Sequence, residues 1–409
     1  MIGEVRIQNY KSIQKLKLEL GRVTVLIGEN GCGKSNILEA IALASAAVKD
    51  KLDNEFLAAR GIRVTEPRFM RSAFEKDNLA KDISIELMGD NDAGFGCILQ
   101  NDNSPYSQWV NRINFIYTEL TQLLDITDTE LTRLLDYIDS HNISFGNTFQ
   151  KLGMEYDSMP LSDSSKKVKQ LIQQLSKLKK NRELSAQIAV FLDKFIIYSP
   201  ENQALRTFQK EGQIQPLGIN GEGLFKLINV LNADNPDKLN QIKKKLRLID
   251  WFKDFEVPQN LSSMQTSLQI TDRYLDTDLS YDQRSSNEGF LFLLFYFTLF
   301  ISELTPQFFA IDNIDASLNP RLCRRLIEEL VELAKKNDKQ VILTTHNPAV
   351  LDGLDLEDDE QRLFVISRNQ LGYTKATRIL KPQPLEGQEL VKLSEAFLRG
   401  YIGGLPKNF

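Results

Sequence analysis

Cysteine is scarce in this sequence of 409 residues: three occur, Cys32, Cys97 and Cys323. They show neither a pairing pattern nor metal-site spacing, which excludes a disulfide scaffold and a cysteine-based metal centre and points to a reducing compartment. Histidine is scarcer, with His141 and His346 alone, too few to build a histidine-rich nuclease site. An excess of positive charge is also missing. The formal net charge is −5, so the chain is not a globally basic nucleic-acid binder, although a local basic patch stays open. Phe290 to Ile301 is a continuous apolar run of twelve residues, short of the about twenty that cross a bilayer, and is expected to be a buried helix. Met1-Ile2-Gly3-Glu4 opens on a strand pattern rather than a signal peptide, so a cytoplasmic protein without membrane association is expected. What remains is an ordinary globular composition, 42% hydrophobic and 26% charged, long enough for two or three lobes.

Against these absences stands one complete motif. Gly28-Glu29-Asn30-Gly31-Cys32-Gly33-Lys34-Ser35 is a phosphate-binding loop, preceded by the apolar run Val23 to Ile27 and followed by Asn36 and the helix-like stretch Ile37 to Leu43. Gly28, Gly31 and Gly33 let backbone N–H groups converge on phosphate oxygens, and the helix N-terminus adds partial positive charge. Lys34 is placed to reach the β- and γ-phosphates and Ser35 to ligate Mg²⁺. The chain therefore binds a nucleoside triphosphate, with Gly28, Asn30, Gly31, Cys32, Gly33, Lys34, Ser35 and Asn36 around it.

A second half of the site lies far along the chain. Pro306 to Asp312 reads as a buried strand ending in an acid, which makes Asp312 the metal-side carboxylate. Gln340 to His346 is another strand, and it ends in a histidine at the sheet edge where α/β proteins place ligands, so His346 is a candidate sensor of the γ-phosphate. Ser285-Ser286-Asn287-Glu288-Gly289 opens the apolar helix and presents free N–H groups without a phosphate-binding lysine of its own, which suits an anion supplied from elsewhere; taken alone, the segment reads first as a plain helix cap.

Around these motifs four stretches are expected. Residues 1–104 hold a two-stranded meander, the phosphate loop and a second β pattern at 83–100. Residues 105–195 carry helical leucine spacing, Leu120 to Leu135 and Val168 to Leu178, broken near 159–165, and are read as an inserted helical lobe with His141 structural within it. Residues 196–284 open on a return strand, which begins at Phe195 and ends at Tyr198, and hold a helical section from about 224 to 255. Residues 285–409 return to α/β alternation and close with a hairpin, 362–379, and a helix, 388–399. The fold class is α/β: a mixed sheet with flanking helices, an antiparallel N-terminal part and the helical insert. The basic clusters (Arg321, Arg324, Arg325; Lys243 to Lys245 with Arg247; Lys166 to Lys180) and the acidic run 355–360 read as solvated or mutually paired rather than as a DNA track or metal site. The apolar tail 400–409 either docks on a partner or packs back on its own domain.

The order of these segments, phosphate loop, Ser-Ser-Asn-Glu-Gly, Asp312 strand with Asp315-Ala316-Ser317-Leu318-Asn319-Pro320, then Thr344-Thr345-His346-Asn347-Pro348, resembles that of ATP-binding-cassette ATPases. The likeness is strongest to the branch containing RecF, the structural maintenance of chromosomes (SMC) proteins and the overcoming-lysogenization-defect ATPases, whose opening strand-aromatic-lysine element is similar to Val5 to Ile13 here. The resemblance implies an ABC-type head in which ATP is sandwiched between two subunits of a homodimer or higher homo-oligomer. Ser286 to Gly289 would be a degenerate signature motif, Asp315 to Asn319 the loop across the interface, and His346 the switch histidine. One departure bears on catalysis: the family pattern follows the magnesium Asp with Glu, the general base, where this chain has Asn313. An amide orients water but takes no proton at neutral pH. The catalytic set Asn313, Asp315 and His346 is therefore expected to support slow or partner-gated hydrolysis, with Asp315, Glu288 or a carboxylate of the mate standing in.

For the biological role the resemblance implies a regulatory or scaffold subunit of a bacterial anti-phage defence system that controls a separately encoded nuclease or toxin. The alternative is a RecF- or SMC-like DNA-repair or DNA-clamp ATPase, for which nucleic acid is the partner. A transporter's nucleotide-binding subunit fits less well because of residues 105–195. An integral nuclease domain of the overcoming-lysogenization-defect kind is not expected in the about sixty residues after His346. Tyr10, Lys11 and Arg22 are candidates for adenine contact, and Gln100 for the glutamine that couples a helical lobe to the metal.

Overall fold

The computed structural model describes residues 1–89, 93–104, 106–113, 185–207, 214–257, 268–276, 279–381 and 391–405. The N-terminal alternation folds as β1 (Ile2–Tyr10) and β2 (Ile13–Glu19), antiparallel, with Tyr10 opposite Ile13 across a tight turn. β3 (Val23–Ile27) leaves that pair for a second sheet. β4 (Ile83–Gly89), β5 (Gly94–Gln100) and β6 (Val110–Ile113) complete the first sheet in the order β2-β1-β4-β5-β6, antiparallel throughout.

β6 corrects the reading of 105–195 at its start. Four residues are too few to show a period, and what makes them a strand is the free edge of β5, which pairs Gln100 with Val110 and Cys97 with Ile113. Residues 185–192 are helical. The leucine-spaced segments, the 159–165 break, His141 and Lys166 to Lys180 lie outside the described residues.

The second sheet carries the site. β7 (Ile197–Tyr198), the expected return strand, lies at one edge; a separate three-stranded sheet is made by β8 (Phe252–Glu256), β9 (Gln269–Asp272) and β10 (Tyr281–Asp282). The section expected as helical to residue 255 consists of helices Leu224–Asp234 and Pro236–Leu246 and then β8. β11 (Phe308–Ile311), β12 (Gln340–Thr345), β13 (Gln361–Arg368) and β14 (Thr374–Ile379) finish the second sheet in the order β14-β13-β3-β12-β11-β7. Five of its strands are parallel and β14 returns antiparallel as the hairpin partner of β13.

Both faces of this sheet are covered, which is why β3 and β12 are buried along their whole length and read as unbroken apolar runs. Leu26, Phe308, Ala310 and Ile342 face the helix Lys34–Val48 and the first sheet. Val25, Phe309, Ile311 and Leu343 face the helix Glu288–Ile301, whose residues from Phe290 onward are all buried. That helix is hydrophobic all round because it is enclosed all round. Helix Pro320–Lys336 carries proline in its first turn, with Asn319 accepting from Leu322 N at 3.0 Å.

Several charges of the basic clusters are paired, and the acidic run, expected to be solvated, carries ion pairs as well. Arg325 and Arg324 reach Glu328 at 2.9 and 3.2 Å, Lys243 reaches Asp254 at 3.0 Å, and Lys245 joins Glu329 and Glu332. Glu357, Asp358, Asp359 and Glu360 engage Lys381, Lys335, Arg378 and Arg22. The closing helix is Leu393–Leu398, its expected start at 388 lying outside the described residues. The tail packs back: a Cβ at Gly404 would stand 2.7 Å from Val365 and 3.7 Å from the Gly28 Cα. Residues 406–409 lie outside the described set, and among the described residues no helix is long and apolar enough to cross a membrane.

Candidate nucleotide site

Parallel pairing brings the chemistry together. Ile27 of β3 is level with Thr345 of β12 and Val365 of β13, and Ile311 of β11 with Leu343, so the loops that follow these strands emerge at one edge. The phosphate loop rests on the C-terminal hairpin. Gly28 has φ 158° and a Cβ there would meet the Ile366 carbonyl at 2.1 Å; at Gly33, φ 110°, it would meet Thr374 Oγ1 at 2.1 Å. Arg368 Nε donates to Gly31 O at 2.8 Å and Thr374 Oγ1 to Cys32 O at 2.9 Å. Ser12 Oγ lies 2.6 Å from both Thr374 Oγ1 and Asn36 Nδ2, which ties the β1–β2 turn to the loop as well.

On the metal side, Ser35 Oγ donates to Asp312 Oδ2 at 3.0 Å, and the Thr344 hydroxyl donates to Oδ1. A serine hydroxyl and a carboxylate are hard oxygen donors of the kind Mg²⁺ takes while keeping several waters, so the pair fits the ion and would hold it. Lys34 Nζ donates to Gly28 O at 2.9 Å and Glu29 O at 3.1 Å. With 6% exposure, burial pulls its pKa below the usual lysine range, against the pull of Cys32, Asp312 and Asp315. A poorly compensated buried cation is stabilised by an arriving anion.

Asn313 is exposed, with φ 57°, and its backbone N–H donates to Thr344 Oγ1 at 2.9 Å. Asp315 accepts from Thr345 Oγ1 at 2.5 Å. His346 lies next to the Gly28 backbone; desolvation and then Lys34 push its pKa down, opposed by Asp315 and Asp312.

The signature-like corner is a separate construction. Asn287 Oδ1 accepts from Phe290 N at 2.8 Å as the cap of the apolar helix, leaving the N–H groups of Glu288 and Gly289 in its first turn without intrahelical partners. Gly289 lies against the Ser317 carbonyl and Leu318, so this corner and the Asp315–Asn319 loop share a surface. The Ser286 side chain is buried, at 4% exposure, and donates to Gln283 O at 2.9 Å. The exposed hydroxyl here belongs to Ser285.

A cavity of about 490 Å³ opens beside the loop, lined by Lys11, Ser12, Asn36, Arg63, Phe69 and Phe74 among others. Of the three adenine candidates Lys11 alone lines it. Tyr10 is buried with its hydroxyl on Glu39, and Arg22 lies at the opposite end of β3, paired with Asp338 at 3.0 Å and Glu360 at 3.1 Å. Gln100 donates to Asp82 at 2.6 Å. Sequence reading missed Arg63, which pairs with the buried Glu39 at 2.6 Å and reaches Asn36 at 3.3 Å, and it missed Thr344, Arg368 and Thr374. Thr344 was within view, since a hydroxyl one strand over from an acid is a natural partner. The three thiols are buried; Cys97 and Cys323 are pushed up to about 12 and Cys32 is raised, all by burial, so none is a poised nucleophile. Among the described residues no cluster of three or more His, Cys, Asp or Glu could hold a metal.

The family described as "AAA domain, putative AbiEii toxin, Type IV TA system" matches residues 23–352, well over half of the chain. Over 113 residues the chain is 30% identical to an uncharacterized protein of Methanocaldococcus jannaschii, covering 26% of this chain and 50% of that one. Over 55 residues it is 38% identical to the DNA replication and repair protein RecF of Bacillus thuringiensis, covering 13% of this chain and 15% of RecF. The chain thus spans half the length of the first relative and far less of the second. Among solved structures, an Smc head bound to the C-winged helix domain of ScpA matches with a TM-score of 0.55 at 16% identity, over 93% of this chain and 98% of that one.

Proposed function

The chain belongs to the AAA-domain family of putative AbiEii type and is a P-loop ATPase of the RecF and SMC kind, and from that premise we propose that two copies enclose ATP and Mg²⁺ between them and hydrolyse it slowly, as the switch of a larger assembly. The observation that carries this reading is the pairing of a complete metal side, Ser35–Asp312–Thr344, with an exposed Asn313 where a general base belongs. Lys34 and the loop N–H groups bind the phosphates. Mg²⁺, when bound, neutralises charge on the β- and γ-phosphate oxygens. Asn313 orients water without taking its proton, Asp315 is the nearby carboxylate on the same loop, and His346 touches the γ-phosphate as a neutral ring. The mate supplies its Ser285–Gly289 corner and Asp315–Asn319 loop together, because the two share one surface.

The role we assign is a regulatory or scaffold subunit of an anti-phage defence system, holding a separately encoded toxin or nuclease until ATP turns over. Two things support it: a weak catalytic centre suits a timer better than a motor, and the family's description names a toxin system. The Smc head, solved with a ScpA domain bound, is a case of this fold carrying a partner protein. The second reading, an ATP-gated DNA clamp, rests on the RecF likeness. Light scattering with and without ATP and Mg²⁺ tests the shared core: the mass doubles for the wild type and stays monomeric for Lys34→Ala. Binding of bare duplex DNA only in the ATP state would favour the clamp over the effector switch.

A further inference from the structure

Behind the signature-like corner stands a side chain that no motif contains. Arg206 follows the short helix Asn202–Leu205, a few residues after β7. Its Nη1 donates to Gln283 O at 2.7 Å and to Arg284 O at 2.5 Å, its Nη2 to Ser286 O at 2.9 Å, and its Nε to Asn202 Oδ1 at 2.9 Å. One planar guanidinium thus gathers three carbonyls of a four-residue turn. The Gln283 carbonyl also accepts from Ser286 Oγ, which explains why that hydroxyl points inward.

We infer that Arg206 is a positioning residue for the nucleotide held by the mate: it fixes the backbone of residues 283–286 and with it the first N–H groups of the apolar helix, which are the phosphate-facing donors. This rests on the reading that two copies share ATP. Three geometric facts support it. The fork of a guanidinium matches several carbonyls at once, whereas an ammonium is a point donor. A fixed cation directly behind the corner adds to the positive end of the helix dipole, favouring an anion on the far side. The same segment also reaches the metal-side strand, since Tyr198 O accepts from Asp312 N at 2.8 Å and Ile196 O from Ala310 N at 3.0 Å. About eight residues of chain therefore connect Asp312, which serves the copy's own nucleotide, to the corner that serves its mate's. Arg206 touches no substrate in this account.

The test uses the full chain, with Arg206→Ala, Arg206→Lys and Lys34→Ala. Arg206→Ala is expected to bind ATP with a Kd within about twofold of wild type, because Lys34, Ser35 and Asp312 keep their own partners; this also shows the variant is folded. Its turnover is expected to fall about 100-fold, the loss that a small misplacement of a binding group produces, with Arg206→Lys in between. Mixing Arg206→Ala with Lys34→Ala, each nearly inactive alone, should restore turnover, because one of the two sites in the mixed dimer then joins an intact Lys34 to an intact corner. Wild-type turnover by Arg206→Ala, or a mixture no faster than its two components, would overturn the inference. Failure of the wild type itself to associate on ATP would instead sink the shared-nucleotide reading, leaving the two failures distinguishable.

Discussion

Thr344, the fifth residue of β12, donates its hydroxyl proton to Asp312 at the end of the neighbouring β11, while Ser35 holds the other carboxylate oxygen at 3.0 Å. Asp312 is therefore oriented from both sides. Thr344→Val keeps the shape and removes the donor, also leaving the Asn313 N–H without its 2.9 Å partner. Loss of such an outer partner costs about 10- to 100-fold in metal affinity. Titration calorimetry should show that drop for ATP binding in the presence of Mg²⁺ and little change in its absence; equal loss in both conditions would contradict the assignment.

Asn313→Glu restores a basic group at the exposed position after the metal-side acid. A well-placed general base contributes about 10²- to 10⁴-fold, and the left-handed backbone there, φ 57°, costs a residue other than Asn or Gly about 1 kcal/mol. A single-turnover rate about 100 times that of wild type, the low end of that range, is expected. Asn313→Ala should lower the rate by less than the loss of a general base would, since the amide orients the water but takes no proton.

The downward shift of His346 sets a pH dependence. Its folded pKa lies below the ordinary value of 6.5 because of desolvation and Lys34, so between the two values the unfolded chain binds the proton and the folded chain does not. Stability therefore falls as pH drops through 6.5, flattening once the folded form also protonates. Denaturant melts of wild type against His346→Gln should diverge only below that pH, and turnover should be flat from pH 7 to 8.

Lys339 has no part in the chemistry but closes the end of the apolar helix, donating to Ser302 O, Thr305 O, Thr305 Oγ1 and Pro306 O at 2.8, 3.0, 3.0 and 3.1 Å. Lys339→Met strands these buried acceptors and should cost about 3 kcal/mol in urea unfolding, with ATP affinity unchanged in the surviving folded protein. A loss under roughly 0.5 kcal/mol, the size of an ordinary surface substitution, would mean water replaces the ammonium.

Legibility followed locality. The phosphate loop, Asp312 and His346 were readable because each is a contiguous run whose strand places the functional residue at its own end, and parallel pairing then aligned the ends. Features made by distant segments left no local trace. Ser12 and Thr374, bonded behind the loop, are 362 residues apart; Arg206 reaches the signature-like turn across 77 to 80 residues; β6 exists because β5 offers an edge. Ser286 shows the complementary limit, since position in a motif does not give the direction of a hydroxyl when a buried carbonyl competes for it. Arg22, an adenine candidate, precedes β3 and so stands at the end of the strand away from the phosphate loop, where it pairs with Asp338 and Glu360.

The most direct test of two copies around one nucleotide is a cross-link between the exposed positions 30 and 285. The three native thiols are buried, so a mixture of Asn30→Cys and Ser285→Cys chains presents two reactive sulfurs to a short bismaleimide. Covalent heterodimer is expected when ATP and Mg²⁺ are present and none with ADP or without nucleotide. Heterodimer that forms equally in every condition, or that never forms while both chains bind ATP, would contradict it.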